Sequence, residues 1–395
     1  MRIGFNGQRL AGQRFGVGRY IEYMLRHWAD ALPAEDTLTL FLRQPLEKGP
    51  DEFGPRVTPR LLAYGGSGIP WENLHLRRPA RQQDVLFCPA YTAPVFYRGP
   101  LVVATHSVNE TEPAAHSLVY RNTYSRLHRH AARIADRVIV PGARTRDAVI
   151  AHYGVPEERI SIVHQGADDI FRPTTDPAVV TATRRRFFAD GRPYVLFVGS
   201  GSKRRNIPML IAAFARLKAE GFPHGLVLFG PYKDDTPLAG ICAGLGVSDD
   251  VHQTDGVLQK HGDIVPVYGA ADVFVHPSEN EGWSMTTTEA LACGTAVIAT
   301  RRGGLGEVAE GHALMLDQPT VEGLAAALRQ VLTDARLRED LQRRAMVRGA
   351  QLRWDVLARQ TFDIVRATGA TSDIPRATGA TSDIPRAAGV ANKDR

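Results

Sequence analysis

The sequence predicts an α/β protein made of two parallel, doubly wound sheets, and three observations support this. Short apolar runs alternate with helical patterns along most of the chain, which is typical of a parallel sheet covered by helices. A polar, proline-bearing segment at 171–177 interrupts the alternation, which then starts again. At 395 residues the chain is long enough for two such domains.

The composition is that of an ordinary globular protein, with 44% apolar and 23% charged residues. The net charge of +6 suits an anionic ligand, an acidic membrane surface or nucleic acid, and does not choose among them. The cysteines, at 88, 242 and 293, are scattered and odd in number, which predicts buried free thiols in a reducing compartment. Since no signal peptide or long apolar run is visible either, we expect a cytoplasmic protein.

The first strand is predicted at 3–6, and apolar residues at helical spacing predict a helix over 20–28. Gly16 and Gly18 precede this helix, where they can either cradle a phosphate or simply form a tight turn. Ile21 stands where a dinucleotide fingerprint has its third glycine, so the pattern is a weak signal for NAD.

Further apolar runs predict strands at 38–42, 85–88, 101–104 and 138–140. His106 follows the third of these runs, at the end of a strand where doubly wound sheets bind their ligands. A lone histidine is commonly a structural hydrogen-bonding residue, but this position favours contact with a ligand.

A basic stretch at 120–137 contains five arginines and two histidines. One interpretation is a solvated helical face. The alternative is a basic surface for anionic lipid or for an anionic acceptor.

The second domain is predicted to begin with a buried strand at 194–198 and a glycine- and serine-containing loop. Lys203, Arg204 and Arg205 follow, just before an apolar helical stripe at 207–217. Three cations at a strand–loop–helix junction can neutralise a diphosphate, although a solvated basic loop is the simpler alternative.

The remainder of the chain continues the alternation, with strands predicted at 226–229, 271–275, 296–299 and 314–316 and mostly helix over 321–365. Residues 366–375 are then repeated without change at 376–385. This repeat is rich in small and polar residues and cannot bury a core, so a disordered tail is predicted over 367–395.

The segment 276–294 carries the strongest chemical signal. Glu281 lies in a polar turn after a buried strand, and Glu289 lies eight residues later on a short predicted helix, 286–293, with Gly294 as its stop. That spacing is just over two helical turns, so the two carboxylates can face the same side. Free N–H groups at the helix N-terminus form an anion site between them. Carboxylates beside an anion site suit a nucleotide-sugar, which has both hydroxyls and phosphates.

This segment resembles the Glu-x7-Glu motif of retaining GT-B glycosyltransferases of family four, a resemblance carried by Glu281, Glu289 and the flanking Ala-Leu-Ala-Cys-Gly-Thr. It implies the GT-B architecture, in which two Rossmann-like domains face each other across a cleft. In that family the first Glu contacts the donor sugar and the second contacts the nucleotide ribose. The sequence departs from the family at Ser284 and Thr286, where Gly and Pro are frequent, which bears on donor-sugar choice.

Other segments extend the resemblance. Thr-His-Ser around His106 resembles the Thr-His-Asp whose histidine reaches the donor sugar or its phosphate, with Ser107 in place of the Asp. Arg204 matches the Arg of the family's Arg-Lys pair, and Arg205 replaces the Lys. The resemblance thus implies catalytic roles for His106, the two arginines and Glu281. It implies donor binding by residues of the glycine loop, the nucleobase loop and the central motif, namely Gly16, Gly18, Gly256, Val257, Gly282, Trp283, Ser284, Met285 and Glu289.

The family pattern also implies domain limits. Residues 1–172 form the acceptor-side domain, to which a last helix at 353–366 crosses back, and residues 176–350 form the nucleotide-sugar domain.

The predicted activity is transfer of a mannose- or glucose-type hexose, with retention, from a nucleotide-diphosphate sugar to a glycan or lipid-linked acceptor in cell-surface polysaccharide synthesis. GDP-mannose is the slightly favoured donor, and no cofactor and no nucleic-acid partner are expected. Peripheral contact with the inner face of the membrane stays open. No metal is expected, because the sequence contains no Asp-x-Asp. The alternatives are a sugar-nucleotide epimerase of the same architecture, a non-catalytic sugar-nucleotide-binding protein and, weakest, a NAD dehydrogenase.

Overall fold

A computed structural model describes residues 1–12, 14, 16–109, 118–231, 237–258 and 260–371, with side chains in the fourth helix described from residue 122 onward. The predicted tail from 372 onward therefore lies outside the described part, as do the side chains of the first two residues of the basic stretch.

The first sheet has seven parallel strands in the order β3-β2-β1-β4-β5-β6-β7. In chain order these are β1 Arg2–Asn6, β2 Thr37–Leu42, β3 Val57–Leu61, β4 Val85–Cys88, β5 Leu101–Ala104, β6 Arg137–Val140 and β7 Ile160–Ile162.

The second sheet has six parallel strands in the order β10-β9-β8-β11-β12-β13. They are β8 Tyr194–Val198, β9 Gly225–Phe229, β10 Val251–Thr254, β11 Val273–His276, β12 Val297–Thr300 and β13 Leu314–Leu316. In both sheets the order reverses beside the first strand of the unit, so each domain has a switch point at the carboxyl ends of its strands.

Helices connect the strands. They are α1 Val17–Ala31, α2 Gly68–Trp71, α3 Arg77–Ala80, α4 Leu118–Ile134, α5 Ala143–Tyr153, α6 Pro177–Phe187, α7 Ile207–Ala219, α8 Leu238–Gly244, α9 Val265–Gly269, α10 Met285–Ala292, α11 Leu305–Ala309, α12 Val321–Thr333, α13 Ala335–Gln351 and α14 Trp354–Ala370. A π-helical turn, Glu72–Leu76, joins α2 to α3.

The predicted fold class is confirmed, since two doubly wound parallel sheets are present. No apolar run in the sequence predicted β3, β7 or β10, and each of these is an edge strand. Edge strands are partly exposed, so they lack the continuous apolar run that marks a strand buried on both faces. The strand β3 even contains Pro59, which an edge position tolerates because it needs no donor on its free side.

The helix α14 returns from the second domain to the first. It packs against α1, where the Trp28 indole donates a hydrogen bond to the Ala358 carbonyl at 2.9 Å. The helix ends at Ala370, four residues past the predicted end, and Thr368 and Gly369 on its last turn are buried. The predicted start of the tail at 367 was therefore wrong, because the last turn packs against the first sheet at Val85 rather than entering solvent.

All three cysteines are buried free thiols, as predicted. Within the described ranges, the helices include none with the length and apolar character needed to cross a bilayer.

Candidate active site

A cavity of about 610 Å³ lies between the two domains, at the carboxyl ends of both sheets. Ten of the thirteen residues predicted to form the site line this cavity: Gly16, His106, Arg204, Arg205, Gly256, Glu281, Gly282, Trp283, Ser284 and Met285. The other three residues do not line the cavity, each for a different structural reason: Gly18, Val257 and Glu289.

Gly18 and Val257 lie beside the cavity without facing it. Gly18 is buried in α1, where a Cβ would touch the side chain of Arg14. Val257 is 59% exposed, and its N–H donates a hydrogen bond to the carboxylate of Asp255 at 2.9 Å. Gly256, one residue earlier, does reach the cavity wall.

The floor of the cavity in the second domain is backbone. Gly199 and Gly230 follow β8 and β9 with φ values of 151° and 158°. A Cβ at Gly230 would lie 2.0 Å from the Gly199 carbonyl oxygen, and one at Gly199 would lie 2.1 Å from Nη1 of Arg205. Glycine is thus required at both positions so that the strand ends and the arginine can approach each other closely.

Glu281 is buried at the centre of a cluster of donors. Its Oε1 lies 2.5 Å from Nη1 of Arg204 and 3.5 Å from Nε of Arg205. The hydroxyl of Ser278 and Nε2 of His276 each lie 3.4 Å from the same oxygen. Burial alone would raise the pKa of Glu281, but the His276 hydrogen bond and the two guanidinium charges outweigh it and hold the pKa well below its ordinary value. The carboxylate is therefore ionised at neutral pH.

The two arginines are held in place by the polypeptide around them. A short 3-10 turn, Lys203–Arg205, follows β8, and Asn206 with φ 52° connects the turn to α7. Arg204 donates through Nη1 to the Asn280 carbonyl at 2.9 Å, and Arg205 donates to the Ser200 carbonyl at 3.1 Å. Two cations thus meet one carboxylate, which leaves a net positive site suited to a diphosphate.

The N-terminus of α10 forms the adjacent wall. Ser284 is its N-cap residue, and its hydroxyl accepts the Thr287 N–H at 3.2 Å. This capping role explains why a hydroxyl residue stands at position 284, where the family frequently has glycine. Met285 and Thr286, the first two helical residues, line the cavity, so this helix end faces it.

Glu289 does not share the cavity with Glu281, contrary to the sequence prediction. It is 1% exposed, its Oε1 accepts from Nη1 of Arg19 at 2.8 Å, and its Oε2 accepts from the Tyr268 hydroxyl at 2.8 Å. Burial raises the pKa of Glu289, although Arg19 opposes that shift. Arg19 belongs to α1 of the first domain and itself lines the cavity, so it stands between this carboxylate and the open space.

His106 lines the cavity, but both of its ring nitrogens are engaged. Nε2 donates to the Pro89 carbonyl at 2.7 Å, and Nδ1 accepts from the Gln165 amide at 2.8 Å. Burial lowers the pKa of His106 to about 4, so the ring is neutral near pH 7. Neither nitrogen is available for proton transfer in this conformation, and a ligand would meet the ring edge or the backbone.

We expect this histidine to make the fold sensitive to acid. The pKa of His106 in the folded protein lies below the ordinary value of 6.5. The contribution of this neutral ring to the free energy of unfolding is therefore present above about pH 6.5 and is lost as the pH falls toward 4. Thermal unfolding from pH 7 to pH 4.5 should therefore show a larger fall in Tm for the natural protein than for His106→Gln. An identical fall in both proteins would contradict this assignment.

Backbone contacts close the cleft beside the central motif. A Cβ at Gly282 would lie 1.9 Å from the His106 carbonyl oxygen, so the domains meet there with no room for a side chain. The Trp283 indole donates to the Gln165 carbonyl at 2.9 Å and stacks on His164. The predicted donor-binding Trp283 thus uses its polar atom to join the domains, although its surface still forms part of the cavity wall.

Several residues at this site carried no signal in the sequence, namely Arg19, Gln165, His261 and Tyr268. Arg19 pairs with a carboxylate 270 residues away, which no local pattern encodes. Nε2 of His261 accepts a hydrogen bond from the Tyr23 hydroxyl at 2.9 Å, and burial lowers the pKa of His261 to about 3. The described residues include no cluster of three or more histidine, cysteine or carboxylate side chains that could hold a metal ion.

Two family models match consecutive parts of the chain. The model described as Glycosyltransferase Family 4 matches residues 16–170, and the model described as Glycosyl transferases group 1 matches residues 181–348. The chain belongs to the GT-B glycosyltransferases of family four. The match to the second model spans the arginine turn and the central motif.

Curated relatives are glycosyltransferases or synthases by name, in agreement with this family. A D-inositol 3-phosphate glycosyltransferase from Streptomyces bingchenggensis is 30% identical over 68% of this chain and 61% of its own length. An alpha-maltose-1-phosphate synthase from Mycolicibacterium smegmatis is 28% identical over 71% of this chain and 76% of its own length. The chain thus spans about three fifths of the first of these relatives.

Solved structures share the fold. A sucrose-phosphate synthase from Thermosynechococcus elongatus superposes with a TM-score of 0.77 at 21% identity, covering 94% of this chain and 100% of that structure. Anabaena HepE, solved in complex with UDP and glucose, gives 0.76 at 18% identity, covering 93% and 100%.

Proposed function

We propose that this family-four member transfers a hexose of the glucose or mannose type from a nucleotide-diphosphate sugar, with retention of the anomeric configuration. The observation that carries the proposal is the arrangement of Arg204 and Arg205 around the ionised Glu281, beside the N-terminus of α10. Guanidinium groups and helix N–H groups together suit the two phosphates of a sugar nucleotide.

The leaving diphosphate is the group that this site is best suited to stabilise. Negative charge develops on the phosphate oxygens as the bond to the sugar breaks, and preorganised cations act most strongly at that moment. Glu281 is held at Oε1 by its donors, so we assign it to orienting the sugar rather than to nucleophilic attack. A front-face substitution, in which the leaving phosphate takes the acceptor's proton, needs no protein nucleophile.

The chemistry proposed here needs no divalent metal, because Arg204 and Arg205 supply positive charge where a metal would otherwise stand. The full sequence also has no Asp-x-Asp, the element that supplies clustered oxygen ligands in metal-using glycosyltransferases.

Different observations favour the proposed donor and the proposed acceptor. GDP-mannose follows from the family resemblance, whereas the UDP in HepE makes a uridine nucleotide an equal candidate. For the acceptor we favour a glycan or lipid-linked sugar in cell-surface polysaccharide synthesis at the cytoplasmic side of the membrane. The names of the curated relatives, which act on inositol phosphate or make maltose 1-phosphate, make a phosphorylated polyol or sugar the second candidate.

A thermal-shift panel of GDP-, UDP- and ADP-sugars should identify the donor. At about 100 times its dissociation constant, a ligand that binds only the folded state adds about 2.7 kcal/mol of stability. We expect one nucleotide series to raise Tm by several degrees, while the others leave it near the ligand-free value. No shift with any sugar nucleotide would contradict the proposed donor class.

Turnover then tests the reaction itself. With the donor found above and an acceptor, proton NMR of fresh product should show the donor's anomeric configuration, and EDTA should leave the rate unchanged. An inverted linkage would contradict the assigned mechanism, and activity lost in EDTA but restored by magnesium or manganese would contradict metal independence. A change in the sugar without any acceptor would instead indicate the epimerase alternative.

A further inference from the structure

Two large apolar side chains protrude from the first domain. Leu74 and Phe96 are 70% and 68% exposed, more than the other exposed large apolar residues that the structure describes. Single exposed apolar residues are common on protein surfaces, whereas a group of them bordered by charge marks an interaction site.

Hydrogen bonds hold together the two segments that carry these exposed side chains. The Asn73 side chain, next to Leu74, accepts the Val95 N–H at 2.8 Å. The Val95 carbonyl in turn accepts from Nε2 of His130 on α4 at 2.8 Å. Three elements thus meet at Val95: the π-helical turn, the loop after β4 and α4. Phe96 follows this junction directly.

Exposed arginines lie on the same three elements, close in sequence to the residues that meet at this junction. Arg78 lies one helical turn after Leu74, Arg98 lies two residues after Phe96, and two more precede His130 on α4 at positions 126 and 129. No ion pair joins any of these four to a carboxylate among the residues that the structure describes. We call Leu74, Arg78, Phe96, Arg98, Arg126 and Arg129 the arginine-bordered surface.

We propose that the arginine-bordered surface docks the first domain on an anionic lipid bilayer, with the two apolar side chains entering the interface. Cations near an anionic bilayer and apolar side chains in its interface each favour binding, and this surface presents both. A nucleic acid or an acidic protein would use the charges, but it offers no apolar phase for Leu74 and Phe96.

The position of this surface relative to the cavity supports a bilayer as the partner. His128 on α4 stacks on Tyr91 with ring centroids 4.9 Å apart, and Tyr91 meets His106 edge-on at 5.2 Å. Tyr91 lines the cavity on its first-domain side. Docking would thus bring the acceptor side of the cavity close to the lipid, which suits a lipid-linked acceptor; this last point rests on the proposed function.

Co-sedimentation of the full chain with vesicles tests the proposal directly. We expect binding to vesicles of phosphatidylglycerol and phosphatidylcholine, and little binding to phosphatidylcholine alone. Arg126→Gln with Arg129→Gln should lower the partition coefficient about 30-fold, since each cation near an anionic surface contributes about a fivefold factor. Leu74→Ser with Phe96→Ser should lower it about tenfold or more, because the apolar contribution is lost.

Matched variants in the second domain control for charge and apolarity. Arg185→Gln with Arg336→Gln removes two exposed arginines elsewhere, and Leu245→Ser removes an apolar side chain that is 43% exposed. Both controls should bind vesicles like the natural protein. The donor-induced thermal shift should be the same in all variants, which shows that each is folded and has an intact site.

The outcomes separate this proposal from the proposed function. Unchanged vesicle binding in either test variant, equal binding to neutral vesicles, or no vesicle binding at all would overturn the docking surface while leaving sugar transfer untouched. Binding to a nucleic acid or an acidic protein without vesicle binding would also overturn it. Vesicle binding that depends on these residues in a protein without transferase activity would leave docking standing and contradict the proposed function alone.

Discussion

Replacing Arg205 by alanine should lower kcat for sugar transfer by about two to three decades, while the dissociation constant of the donor changes much less. Its guanidinium is preorganised: Nη1 donates to the Ser200 carbonyl, and the group fits against Gly199. Such a donor acts mainly on charge that develops in the transition state, where losing one costs about 2.7–4 kcal/mol. That free energy corresponds to roughly 10²–10³ in rate.

Two variants at the same turn sharpen this prediction. Arg205→Lys should recover part of the rate, because a lysine keeps the charge but not the forked geometry. Lys203→Ala is the matched control, since Lys203 is an exposed cation of the same turn that does not line the cavity, and it should leave kcat unchanged. Steady-state kinetics with titrated donor separates the effects. A loss in Arg205→Ala that fell entirely on donor binding would contradict a transition-state role.

Replacing Glu289 by glutamine should weaken binding of the free nucleoside diphosphate by about 10- to 100-fold. A carboxylate that holds ribose hydroxyls makes charge-assisted hydrogen bonds, each contributing about 1.5–3 kcal/mol. In the structure this carboxylate accepts hydrogen bonds from Arg19 and Tyr268. Ribose can reach it only if Arg19 moves, so we expect donor binding to replace the Arg19–Glu289 ion pair between the domains.

The companion variants assign the two carboxylates to different roles. Glu281→Gln should leave binding of GDP or UDP nearly unchanged and lower turnover, while Glu279→Gln, at an exposed position, should change neither. Isothermal titration with both nucleotides gives the comparison. Glu289→Gln should also lower the Tm of the protein measured without nucleotide, because it leaves the partly buried Arg19 without its counter-ion. Equal losses of binding in Glu281→Gln and Glu289→Gln would contradict the separate roles.

Buried strands were the most predictable part of the fold. The predicted runs 85–88, 101–104 and 194–198 coincide with β4, β5 and β8, because strands buried on both faces of a parallel sheet need unbroken apolar sequence. The end of α14 was less predictable. Its last turn is made of small residues that resemble a linker, and only packing against the first sheet keeps it helical.

The chemistry of the local motifs was also present in the sequence. Arg204, Arg205 and Glu281 lie in two strand–turn–helix segments, and β8 and β11 are neighbours in the sheet, so their carboxyl ends meet at one edge. A local pattern at the end of each strand was therefore enough to predict that these three residues come together.

The sequence by itself thus determined two parallel sheets, the arginine turn and a carboxylate at the end of β11, because each depends on neighbours along the chain or on adjacent strands. Only the tertiary structure decided that Glu289 is covered by Arg19, that both ring nitrogens of His106 are occupied, and that the segments carrying the exposed Leu74 and Phe96 adjoin. These features depend on the packing of elements far apart in the chain. A spacing of eight residues allows two carboxylates to face one side, but the side chains of the other domain decide what each of them meets.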